Sequence, residues 1–495
     1  MPPRFCAIAA AALFIVLRLP AQSIPKTWDD AALATSQLKP PIAGASIKPV
    51  PASYYYKTKE RVLYRVHPVY SSKTEPPGYL DKLAQTEPEL TFNESNLKTD
   101  QDWIAAGREV FRYPVNTGPA SETIPLFRGV LERCGVPPAK DGTYPQLGII
   151  VPRKGVVLAG FLSCATCHTR IQPDGSVIEG AQGSLPDTIL GFPPELEKAR
   201  TFQLALYRVP WLKSDPINRV RTMSVEEISA AKAAIPLGVV ARHGSSLFTP
   251  VQIPDLIGVR DRKYLDHTGL MRQRDIGDLM RYAALNAGTP PAGMDMFADY
   301  SGFVPIETIS DGAENTLPAP ETVERFSDAQ LYALAKFIYS LTPPANPNHS
   351  SPLIQRGEKV FAQEGCPRCH TPPLYTSNRL TLAIGFTPPP EDSRSPDILR
   401  ISVGTDPDLT MKTRRGTGYY KVPSLKGVWY RGMFGHSGWC ATLEDWFDPR
   451  RLRNDYVPTG FKPFGARTYA VRGHPFGLDL SREDRAALIA FLKTL

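Results

Sequence analysis

Beyond its first two dozen residues the 495-residue chain contains no continuously apolar run. This excludes a later membrane-spanning helix, which needs about 20 such residues. The chain also lacks a dense basic stripe interleaved with aromatics, so nucleic acid is not an expected partner. Histidine and cysteine are scarce, eight and seven residues respectively, and no histidine lies between His168 and His243. With so few, any cluster of them carries information. Residues 24–100 are rich in Pro, Tyr and Thr and lack apolar periodicity, so they read as an extended arm wrapping the rest of the chain, with a disordered leader as the alternative.

What the chain does have begins with its N-terminus. Arg4 precedes a short apolar run, broken by Arg18 and followed by small residues at Ala21 and Ser23. Residues 1–23 therefore read as a secretory signal cleaved near residue 23, and the mature protein is expected in the periplasm. Loss of Arg4 and Arg18 lowers the formal charge from +8 to +6. That basic excess suits either a solvated surface or a set of cations facing acidic groups on a cofactor. Fifty prolines, about twice the usual share, predict short helices joined by long stiffened loops.

Cys6 leaves with the signal. Four of the other six cysteines form two identical patterns, "CATCH" at Cys164, Cys167 and His168 and "CPRCH" at Cys366, Cys369 and His370. Cysteines three apart lie on one side of a helical turn, where both can bond the vinyl groups of one haem while the next histidine reaches its iron. A zinc site built on either motif is one ligand short, and the motifs lie about 200 residues apart. A thioredoxin-like dithiol would continue into a long helix, yet Pro173 and Gly175 follow one motif and Pro372 and Pro373 the other. Two covalently bound haem c groups are the expectation. Cys134 and Cys440 could pair or remain as two thiols.

The chain also repeats itself. "IPDLIGVRDRKYLDHTG" (253–269) aligns without gaps to "VPSLKGVWYRGMFGHSG" (422–438), matching Pro254, Leu256, Gly258, Val259, Arg262, His267 and Gly269 to Pro423, Leu425, Gly427, Val428, Arg431, His436 and Gly438. "FSDAQLYALAKFIYSL" (326–341) parallels "LSREDRAALIAFLKTL" (480–495), each with a capping-box start and a helical apolar face. "GREVF" (107–111) and "GEKVF" (357–361) precede their CxxCH motifs by about 50 and by four residues. The expected fold is mainly α, with two cytochrome c-like helical domains at 101–343 and 352–495 and long Pro-rich loops. The first is enlarged by insertions at 112–160 and around 171–250, and "TPPANPNHSSP" (342–352) is the linker.

"YKVPSLKGVWYRGMFGHSGWCATLEDWF" (420–447), set between a CxxCH and a terminal "ALIAFLKTL", resembles the bacterial dihaem cytochrome c peroxidase and MauG superfamily, a broad group that includes dihaem rubber oxygenases. The likeness covers 352–495 strongly, 101–343 more weakly and the first 100 residues not at all. It implies one haem that relays electrons and another whose accessible iron activates peroxide or dioxygen. The electron donor would be a small redox protein or a quinol-linked donor. Two departures stand out: no histidine follows the first CxxCH closely, and the family's Phe-Trp-Asp-Gly-Arg stretch is missing.

His168 and His370 are then the proximal ligands. The resemblance places the second distal ligand shortly before the terminal helix, which assigns it to His474, with His436 as the competitor. Met294 or Met296 caps the first iron, or that face is open. Trp211, Trp429, Trp439 and Trp446 are candidate relay aromatics. Arg262 and Arg431 are candidates to pair with haem propionates, and His67 and His349 are expected at the surface. The alternative function is a non-enzymatic dihaem electron carrier with both irons six-coordinate.

Overall fold

The computed structural model describes residues 23–36, 38–42, 51–190, 195–207, 209, 212, 214–241, 245–286, 321 and 323–495. Residues 1–22, which hold nearly all of the expected signal, lie outside this set, as do Trp211, His243, Met294 and Met296.

Two helix pairs form the frame. Helix α1 (Asp100–Arg112) starts at a capping box between Thr99 and Asp102 and buries Ala106, Gly107, Val110 and Phe111 on one face. It packs against α5 (Asp328–Ser340), itself started by the Ser327–Gln330 box that the sequence predicts. In the second half α6 (Ile354–Gln363) packs against α8 (Arg482–Leu492) in the same way. A Cβ on Gly107 would collide with the Ala333 carbonyl, and one on Gly357 with the Ala487 carbonyl. Glycine at these two positions is what lets the backbones approach so closely. One turn on, Phe111 meets Phe337 at 5.1 Å and Phe361 meets Phe491 at 5.4 Å between ring centroids. Each aromatic pair adds about 1 kcal/mol beyond its area burial.

The chain is less helical than its sequence suggests. Among the described residues six small sheets accompany short helices. The 112–160 insertion builds a three-stranded antiparallel sheet from β1 (Asn116–Pro119), β2 (Gly148–Arg153) and β3 (Val156–Phe161), in the order β1-β3-β2. Helix α2 (Ala120–Arg133) covers it, burying Ile124 and Leu131 against Ile149, Val151 and Phe161. Extended backbone satisfies its donors and acceptors by pairing, so the loops between the helices become sheet.

Residues from 51–100 run along the first half. Lys59–Glu60 pairs in parallel with Glu324–Arg325, and Trp28, Tyr55 and Leu63 join the core that holds Phe111 and Phe337. The second insertion crosses between the halves. Its helices Leu196–Tyr207 and Val225–Ala233 share a core with Trp439, Cys440, Phe461 and Val471 of the second half. Cys134 is exposed and Cys440 buried, and no disulfide joins them.

Candidate haem-binding site

Both CxxCH motifs fold into a single tight turn. Cys164–Cys167 forms the short helix α3, capped by Ser163 and Thr166, and the His168 amide donates to the Cys164 carbonyl at 2.9 Å. Cys366–Arg368 is a 3-10 turn entered through Gly365 at a φ of 71°, and the His370 amide donates to the Cys366 carbonyl at 2.8 Å.

The repeat then holds each histidine. His168 Nδ1 lies 2.9 Å from the Pro254 carbonyl oxygen. A carbonyl can only accept, so Nδ1 carries the proton and Nε2 is in the form that ligates a metal. His370 Nδ1 donates to the Tyr375 carbonyl at 3.2 Å, and the carbonyl of Pro423, the repeat partner of Pro254, also accepts from this ring. Burial pushes the His370 imidazole below its ordinary pKa. It also pushes the Cys366 thiol up to about 11 and the Cys369 thiol upward. Thiols held in the protonated state are poor redox nucleophiles.

The imidazole of His474 faces that of His370, with ring centroids 6.4 Å apart and planes inclined by 58°. Two imidazoles bonded to one metal at about 2.1 Å each, with ring centres about 1.1 Å behind their nitrogens, stand roughly 6.4 Å apart. The spacing of the pair is the one that an iron between two imidazoles requires. Burial lowers the His474 pKa to about 3, with His370 and Arg451 adding to the effect. A neutral imidazole is the ligating form.

His474 has a positive φ of 45°, and so does Gly473 before it, at 82°. The His474 amide donates to the Val403 carbonyl at 2.6 Å. His436 is placed elsewhere. Its ring stacks on Tyr420 at 4.3 Å, its Nε2 lies 3.2 Å from the Tyr420 hydroxyl, and it makes a T-shaped contact with Trp439 at 4.4 Å.

Among the described residues no three His, Cys, Asp or Glu side chains converge as ion ligands.

The two halves meet across a pseudo-twofold built from the repeat. Gln252 donates its amide to the His436 carbonyl at 2.9 Å, and its repeat partner Lys421 donates to the His267 carbonyl at 2.9 Å. Between the proximal loops lies a cavity of about 70 Å³, lined by Pro254, Arg262, His267, Lys421, Pro423 and Arg431 among others. Arg262 donates to the Asp255 and Ile257 carbonyls, the second at 2.8 Å. Arg431 donates to the equivalent carbonyls of Ser424 and Lys426 at 3.0 and 2.7 Å. These arginines thus tie down the loops that carry the two prolines. Arg431 Nε is buried without a hydrogen-bond partner. Burial, with Arg262 and Arg431 nearby, lowers the Lys421 pKa to about 7 despite the opposing pull of Asp266. The cavity holds more cations than carboxylates.

Of the candidate relay aromatics, Trp446 lies 5.5 Å from His474, and both Trp439 and Trp446 border Gly435. Trp429 instead packs edge-on against Tyr430 at 5.1 Å. His349 is exposed, whereas His67 is half-buried and bridged to Ile149. Sequence reasoning missed Arg451, which is fully buried beneath the His474 turn.

No family model and no curated protein matches the chain. Two solved structures are similar to part of it. A hydrazine synthase from Kuenenia stuttgartiensis, pressurised with xenon, shares 17% identity over 61% of this chain and 88% of its own, with a TM-score of 0.28. A MauG-like protein associated with microbial copper homeostasis shares 18% over 61% and 89%, with a TM-score of 0.31. At those scores neither decides the chemistry. No helix among the described residues is long and apolar enough to cross a membrane.

Proposed function

We propose that the chain is an exported, periplasmic dihaem c-type oxidoreductase with haem units at 101–343 and 352–495. The observation that carries this reading is the facing pair His370 and His474, 6.4 Å apart at the turn that bears Cys366 and Cys369. In this reading Cys366 and Cys369 would anchor one haem, and His370 and His474 would be the residues that hold its iron. Cys164, Cys167 and His168 hold the other. Haem so bound supplies single-electron transfer at a closed iron and reduction of peroxide or dioxygen at an open one.

The remaining residues act around these groups. The carbonyls of Pro254, Tyr375 and Pro423 orient the proximal rings and keep their Nδ1 protons in place. Arg262 and Arg431 stiffen the proximal loops, and with Lys421 they give the cavity between them a positive surplus suited to propionate carboxylates. Trp446 is an aromatic neighbour of His474 and a candidate relay.

The test is a spin-state spectrum of the purified haem-loaded protein, oxidised, half-reduced and then exposed to peroxide. One low-spin haem that loses its signal in His474→Ala, beside a second haem that responds to peroxide, is the expected result. Two low-spin haems indifferent to peroxide would leave an electron carrier, and a colourless protein would end the haem reading.

A further inference from the structure

The turn that presents His474 is held by a buried cation whose guanidinium donates to backbone carbonyls. Arg451, in the 3-10 turn Pro449–Leu452, has no exposed surface. Its Nε donates to the Trp446 carbonyl at 2.7 Å. Its Nη1 donates to the carbonyls of Val471 and Gly473 at 2.6 and 2.9 Å, and its Nη2 to that of His474 at 2.8 Å. The Val471 amide returns a bond to the Arg451 carbonyl at 2.7 Å, and the guanidinium lies over the Trp446 ring at 4.8 Å. No ion pair to Arg451 occurs among the described residues. Two other buried arginines differ: Arg281 pairs with Asp278 at 2.7 Å, and Arg415 pairs with Asp266.

We propose that Arg451 is a positioning residue for the distal ligand, fixing residues 471–474 so that the His474 imidazole faces His370, and that its charge, which no direct ion pair neutralises, favours the reduced state of an iron held between them. The inference rests on reading His370 and His474 as an axial pair. Burying an arginine without a direct ion pair is costly, and carbonyl dipoles carry less charge than a carboxylate would. A neutral side chain would close the turn at lower cost, so the charge at this place points to an electrostatic task. Reduction removes one positive charge from the iron centre, and a nearby cation in a medium of low dielectric stabilises the product. The backbone needs the clamp as well. Gly473 and His474 both have positive φ, and a Cβ at Gly473 would strike the Thr405 amide. Without a tie a histidine would leave that region.

The test uses the full-length haem-loaded protein and its R451Q and R451K variants, reading haem content, low-spin intensity and midpoint potential. R451Q is expected to retain both haems, lose at least half of the low-spin signal of the second, regain it on addition of imidazole, and show a lower potential for the low-spin fraction. R451K keeps the charge without the planar fork, so its potential should stay near wild type while its low-spin intensity falls. R451Q with two haems, wild-type low-spin intensity and unchanged potential would overturn the proposal. If R451Q does not load haem, R451K decides, because wild-type low-spin intensity from a lysine there would overturn the clamp. An unchanged low-spin signal in His474→Ala would instead overturn the axial pair itself, and the Arg451 assignment with it.

Discussion

The first and second halves are built on the same helix crossing, yet they surround it differently. In both, a glycine meets a backbone carbonyl, a phenylalanine pair follows one turn later, and a histidine after two cysteines donates to a backbone carbonyl. In the second half only four residues separate the GxxxF helix from its CxxCH, and the loop before the last helix presents His474. In the first, about 50 residues intervene and form a sheet with its own core. The buried arginines differ too. Arg281 of the first half is neutralised by Asp278, which also takes Arg274, while Arg451 of the second donates only to carbonyls. The helix crossing sets a frame that tolerates long insertions, and the loops and their charges then give each half its chemistry.

The largest expected effect separates the halves outright. Cys164→Ala with Cys167→Ala, and Cys366→Ala with Cys369→Ala, should each halve the covalently bound haem, measured as the pyridine haemochrome per protein. Loss of both haems from either pair would show that the units do not mature independently.

Next is the ion pair that joins the halves. Arg415 and Asp266 are both buried, and Arg415 also meets the Tyr282 hydroxyl at 2.9 Å and Asn286 at 2.8 Å. Arg415→Met takes the paired guanidinium from buried Asp266 and should destabilise the protein by about 3–5 kcal/mol in urea unfolding. Burial raises the Asp266 pKa, but Arg415, His267 and Lys421 more than reverse this and bring it down to about 2. The folded value lies below the unfolded one, so the stabilisation is complete above about pH 4 and is lost as pH falls through 2. The gap between wild type and variant should narrow over that window. A constant gap would show that Arg415 acts by packing alone.

The shared helix crossing offers a matched pair. Gly107→Ala and Gly357→Ala should each cost about 2–3 kcal/mol, because a Cβ meets carbonyl backbone rather than a movable side chain. Unequal costs would reveal which half carries the cooperative core. The smallest change is expected for His436→Asn. Its ring packs on Tyr420 and Trp439 rather than facing His370, so about 1 kcal/mol of stability should go while the low-spin spectrum stays unchanged. A lost low-spin signal would return the distal role to His436.

Several features were legible because they are local. The Ser327–Gln330 capping box, the two CxxCH turns and the gapless repeat each follow from residues close in sequence, where spacing fixes geometry. The sheet could also have been read. "IIVPRKGVVLAGF" sets two β-branched runs around a turn, and Gly155 takes the positive φ of 82° needed there.

Sequence alone determined the chemistry at hand: two pairs of cysteines, a histidine after each, and a repeat that supplies an acceptor and an arginine to both loops. Only tertiary structure decided what faces what. It set His474 rather than His436 across from His370, ran an insertion of the first half into the core of the second, and buried Arg451 among four carbonyls. The physical reason is range. A turn or a cap is settled by neighbours a few residues apart, whereas a ligand's partner, a buried charge and a shared core depend on segments tens to hundreds of residues distant, whose approach no local pattern encodes.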